Sequence, residues 1–123
     1  MDVRRITEVG VAVRDLGQAT QLFSDLFGAT VSDITEVPRY DMRFCMCRVG
    51  KVDFELMEPT GETGVIADFI AKRGEGLHHI AFAVDDIQDT MNTLGRKGVQ
   101  FVDEAPIRSK LDVVDYAGRT FSD

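Results

Sequence analysis

Apolar and polar positions alternate along Glu8-Val9-Gly10-Val11-Ala12-Val13. This is the period of a half-buried strand, with the three valines on one side and Glu8, Gly10 and Ala12 on the other. Asp15 then offers an N-cap oxygen. Leu16, Ala19, Phe23, Leu26 and Phe27 recur at helical spacing, and Gly28 is a natural stop. The chain from Val31 to Val37 reads as extended, and Pro38 interrupts it. Met42 to Val49 reads as a strand, and Gly50-Lys51 as a tight turn. Val52, Phe54 and Leu56 form one face of the next strand, with Asp53, Glu55 and Met57 on the other. The pattern predicts β-α-β-β-β.

After a linker from Pro59 to Gly64, the spacing of Val65, Ile66, Phe69 and Ile70 predicts a short helix ended by Gly74. Then the opening pattern returns. His79-Ile80-Ala81-Phe82-Ala83-Val84-Asp85-Asp86 lines up with Glu8 to Asp15. A repeated unit that cannot bury its face alone implies that the copies pack together. The expectation is one α+β domain of paired βαβββ modules: module one over 1–60, a linker helix over 61–76 and module two over 77–123. The second helix should run from about Ile87 to Lys97, with Ile87, Met91 and Leu94 on one side and Gly98 as its stop. Val99 to Val102 and Leu111 to Tyr116 read as extended. Only about two strands fit after that helix, so a hairpin of roughly 15 residues is expected beyond it, and the second module reads as incomplete.

The alternation sorts the side chains. Val9, Val11 and Val13, with Ile80, Phe82 and Val84, should pack beneath the helices. The small residues of the opposite face leave room for a second layer or a ligand. That face also carries Glu8 in one copy and His79 in the other, and Glu55 on a later strand. If a pseudo-two-fold axis relates the copies, these three approach one another. A histidine with two carboxylates suits a divalent ion such as Co, Zn, Ni or Mn. The plainer alternative is hydrated polar groups at strand ends. His78, next to His79, should point to the opposite face. Met42, Phe44, Met46 and Met57 suit either the core or an apolar cleft.

The formal net charge of −7 argues against nucleic acid as a partner, since phosphate binding needs a basic patch. An anionic substrate would need a local exception from Arg39, Arg43, Lys72 or Arg73. No apolar run approaches a membrane span, and residues 1–5 show no signal-peptide core. Cys45 and Cys47 lie two apart on one strand, which suits reduced, packed thiols and a cytoplasmic location.

The repeated unit, with Gly76-Leu77-His78-His79-Ile80-Ala81-Phe82 opening its second copy, resembles the vicinal oxygen chelate superfamily. That group contains glyoxalase I, extradiol dioxygenases, methylmalonyl-CoA epimerases and bleomycin-resistance proteins. Phe54 to Pro59, Ile66 to Gly74 and Val84 to Ile87 look like epimerase segments. The resemblance implies a divalent metal in a cup between the modules, with Glu8, Glu55 and His79 at three ligand positions. It implies a small acyl or oxo substrate, such as a CoA thioester, that loses and regains a proton beside its carbonyl. It also implies a homodimer. Three departures from the family stand out. Glu8 replaces the usual histidine. The acidic residue expected after Pro38 is Arg39, which leaves nearby Glu36 as the candidate base. The fourth ligand and the second base belong to C-terminal strands absent here. The alternatives are a glyoxalase-type lyase, a dioxygenase, or a metal-free, drug-sequestering binding protein. The dioxygenase is disfavoured because His78 should face away from His79.

Overall fold

The computed structural model describes residues 2–103, 105 and 106, and the strand backbones at 112–114 and 120–122. The elements follow in the order β1 (Val3–Ala12), α1 (Leu16–Phe27), β2 (Thr30–Val31), β3 (Thr35–Val37), a 3-10 turn (Pro38–Tyr40), β4 (Met42–Val49) and β5 (Val52–Pro59). They continue with α2 (Val65–Arg73), β6 (Gly76–Val84), α3 (Ile87–Arg96), β7 (Asp112–Val114) and β8 (Thr120–Ser122). The main sheet has the order β2-β4-β5-β1-β6, with β3 also on β4. β1 runs parallel to β5 and antiparallel to β6. The two copies of the repeat therefore meet along their opening strands, with β1 between β5 and β6.

Local chemistry explains the element ends. The Asp15 carboxylate accepts from the Gln18 amide, and the Asp86 carboxylate from the Asp89 amide, so both repeat copies cap their helices alike. Gly28 ends α1 in the left-handed region at φ 63°, where its amide reaches back toward the last turn. The stretch expected to be extended from Val31 to Val37 divides into two short strands, both paired with β4.

The sheet packs on both faces. On one, Val13, Leu16, Cys45, Cys47 and Leu56 form a dry cluster with Val11, Ala19, Phe23, Ala29 and Phe54. This is the valine side of β1 under α1, as the alternation implies, and both thiols are free and buried in it. On the other face Ala12, Val37, Met42, Phe44, Met46, Met57, Ile66 and Ile70 cluster beneath α2.

Two expectations for the second half need correction. The alternation places Ile80 and Phe82 beneath the helices, yet they are 43% and 56% exposed. In the first copy α1 rests on β4 and β5; among the described residues β6 is the sheet's edge and has no such neighbours. Residues 99–102 form no strand, and Val102 is fully exposed. The strand expected within Leu111 to Tyr116 is present as β7, paired with β8 in a separate two-stranded sheet.

The packing implies a test. Leu56 is wholly buried between β1, β4 and α1, whereas Leu26 on α1 is 64% exposed. Leu56→Ala should cost about 2–5 kcal/mol of unfolding free energy, and Leu26→Ala within about 0.5 kcal/mol. Comparable losses in denaturant titrations would contradict this core assignment.

Candidate metal centre

Three adjacent strands supply the site. β1 pairs Gly10 with Glu55 of β5 on one side and with His79 of β6 on the other. Glu55, Gly10 and His79 thus form one row across the sheet, and Glu8 lies one pleat along β1 on the same face. Neighbouring strands are about 4.8 Å apart, so Glu55 and His79 must reach over Gly10 to meet. They do so. His79 Nε2 is 3.3 Å from Glu55 Oε1 and 3.5 Å from Glu8 Oε2. A Cβ built on Gly10 would fall 2.3 Å from His79 Cε1, inside the space the ring occupies. The absence of a side chain at position 10 is what admits the ring.

All three ligand-capable atoms lie within 4.8 Å of one another. Tetrahedral zinc with bonds of about 2.05 Å places neighbouring ligand atoms roughly 3.3 Å apart. The two histidine–carboxylate separations match that spacing. One imidazole nitrogen with two carboxylate oxygens is a donor set for Zn, Co, Ni or Mn. The residues therefore fit a divalent ion, and those expected to approach one another have done so.

The electrostatics follow from the same contacts. Hydrogen bonds to Glu55 and then Glu8 push His79 up to about 9, against a smaller opposing effect of burial. The bond to His79 holds Glu8 below the usual carboxylate range. Burial raises Glu55 despite His79, and the Glu8 charge adds to the rise. Thr7 Oγ1 lies 3.4 Å from Glu8 Oε1, a further donor to that carboxylate.

The cluster borders a cavity of about 770 Å³, walled by Met42, Phe44, Met57, Val65, Ile66 and the Pro38–Tyr40 turn. Met42, Phe44 and Met57 serve the core and the cavity wall together, whereas Met46 belongs to the core cluster alone. Glu36 also lines this cavity, and Arg43 pairs with it at 3.4 Å and with Glu58 at 3.4 Å. Glu58 in turn accepts from the Leu16 amide at the start of α1. Arg39 lines the cavity with its guanidinium 4.6 Å from the Tyr40 ring centroid. Lys72 and Arg73 lie in the last turn of α2 and are not part of the wall.

His78 does not face away. It lines the cavity beside His79, with their Nδ1 atoms 2.8 Å apart. The pairing steps from Gly10↔His79 to Val11↔Leu77, so β6 advances two residues while β1 advances one. His78 is the extra residue of a β-bulge, which re-aims its side chain. Strict alternation misses this, and only the neighbouring histidine pair itself hints at it. The ground given for disfavouring a dioxygenase therefore falls, although His78 is not one of the three clustered ligands. Val65 and Ile66 of α2 also line the wall, although their spacing looks like ordinary helix core.

A model of the Glyoxalase/Bleomycin resistance protein/Dioxygenase superfamily matches residues 7–114. The mitochondrial methylmalonyl-CoA epimerase of Mus musculus is 32% identical over 105 residues, covering 84% of this chain and 59% of that protein. The chain thus spans under two thirds of that relative's length. The structure of methylmalonyl-CoA epimerase from Mycobacterium tuberculosis superposes with TM-score 0.77 at 30% identity, over 88% of this chain and 73% of the other. The Streptomyces coelicolor enzyme in complex with 2-nitronate-propionyl-CoA gives 0.77 at 28%, over 89% and 80%.

Two outcomes follow for the metal-free protein. The folded-state value of His79 lies above the roughly 6.5 of an unfolded chain. Its pairing therefore adds stability in full below pH 6.5, and this is lost as pH rises to about 9. Melting temperature should fall across that window, and less so in His79→Gln; an equal fall in both would refute the pairing. Gly10→Ala should displace the ring and bring the His79 titration, read by NMR, back toward 6.5. An unchanged titration would show that position 10 does not hold the ring's place.

Proposed function

The chain belongs to the Glyoxalase/Bleomycin resistance protein/Dioxygenase superfamily, and on that footing we propose that it is a metal-dependent epimerase. Its substrate would be an acyl-CoA thioester with an acidic α-carbon. The observation that carries this reading is the Glu8–Glu55–His79 cluster, of which Glu55 and His79 line a largely apolar cavity. Likeness to methylmalonyl-CoA epimerases, one of them described with methylmalonyl-CoA bound, supports the choice of substrate class.

In this mechanism Glu8, Glu55 and His79 hold the divalent ion. When bound, the ion supplies Lewis acidity toward a substrate carbonyl. Met42, Phe44 and Met57 exclude water from the reacting carbon and strengthen the electrostatic interactions there. Glu36 takes the α-proton as general base, and a second acid would return a proton to the opposite face of the α-carbon. Arg43 beside it holds the carboxylate in place. Arg39 offers a cation for an acidic group on the substrate. Since Arg39 takes the position where an acidic residue was expected, we expect turnover of methylmalonyl-CoA itself to be slow.

The same reading treats residues 1–123 as one domain, with modules 1–60 and 77–123 joined by the 61–76 linker helix. It includes a homodimer in the cytoplasm, without nucleic-acid or membrane partners. Among the described residues no helix is long and apolar enough to cross a membrane.

The test combines metal content with exchange of the α-proton for solvent deuterium. We expect about one divalent ion per chain, lost in His79→Ala, and metal-dependent exchange across 2-substituted acyl-CoA esters. Glu36→Gln should slow exchange about a hundredfold or more. A protein that takes up no ion from Co or Zn solutions, or that binds metal yet exchanges none of these esters, is not this enzyme. The first result would point to a ligand-sequestering member of the family.

A further inference from the structure

We propose that His78 is a positioning residue that fixes the ring orientation and tautomer of His79 for metal binding. This rests on the metal-centre reading above. Consecutive residues of a regular strand point to opposite faces. The bulge at His78 brings both rings to one side, where their Nδ1 atoms lie 2.8 Å apart. Only one proton can lie between those two nitrogens. The atom of His79 that faces Glu8 and Glu55 is Nε2. To ligate there, neutral His79 must keep its lone pair on Nε2 and its proton on Nδ1. That proton is donated to His78 Nδ1, and His78 carries its own on Nε2. Phe69 packs edge-on against the His78 ring, with centroids 4.9 Å apart at 79°, and limits its rotation. The acceptor is thus itself held in place, as is usual for groups behind a metal-ligating histidine.

The role can be tested with Co(II) as the probe. Affinity is measured by chelator competition, and the cobalt absorption spectrum is recorded, for wild type, His78→Phe, His78→Asn and His79→Ala. Phenylalanine keeps a ring against Phe69 but offers no acceptor; asparagine restores an acceptor near the Nδ1 position. We expect His78→Phe to weaken cobalt binding about 10–100-fold and to alter the spectrum. His78→Asn should recover most of the affinity. Wild-type affinity in His78→Phe would overturn the proposal, and so would equal losses in both variants, which would mean that packing alone matters. One arm needs no variant: nitrogen-15 histidine spectra of the zinc-loaded wild type should show His79 protonated at Nδ1 with zinc at Nε2. Zinc at Nδ1 would overturn the proposal. Metal binding unaffected by His78→Phe removes only this role, whereas a wild type that binds no cobalt removes the metal centre with it.

Discussion

One missing side chain organises the site. Gly10 sits in the middle strand of three, directly between Glu55 and His79. Any Cβ there would meet the His79 ring. Without one, side chains from strands two places apart close over the central backbone. Because β1 pairs with β5 of its own module and with β6 of the other, its two pairings bring Glu55 and His79 together before any loop takes part. Rigid strands are a more exact support for such a constellation than loops.

The two sheet faces divide the work. The face beneath α1 is dry and filled by Leu56, Cys45, Cys47 and their neighbours. The other face uses Met42, Phe44 and Met57 both to pack against α2 and to wall the cavity. A chain of charges runs along the α1 side of the sheet: Glu36 to Arg43, Arg43 to Glu58, and Glu58 to the first amide of α1. The rim of the cavity is thereby linked to the helix on the far side of the sheet.

Much of this was legible in the chain. Alternation and the repeat put Glu8, Glu55 and His79 on one face, because a strand has period two and β1 meets its own copy. The Asp caps and stopping glycines marked the helices. Alternation fails wherever the pairing slips. The bulge at His78 leaves no mark in composition, so alternation alone puts the ring on the wrong side. Ile80 and Phe82 look like core because burial depends on what lies over a strand, and an edge strand has fewer neighbours. Val99 to Val102 is apolar enough for a strand, but among the described residues no strand pairs with it.

The central claim is that Glu8, Glu55 and His79 together hold one divalent ion. Anomalous diffraction at the absorption edge of cobalt, on crystals of the cobalt-loaded protein, tests it directly. The account predicts a single peak with His79 Nε2 and oxygens of both glutamates at about 2.0–2.2 Å. A peak elsewhere, or one coordinated by His78 in place of either glutamate, would contradict it.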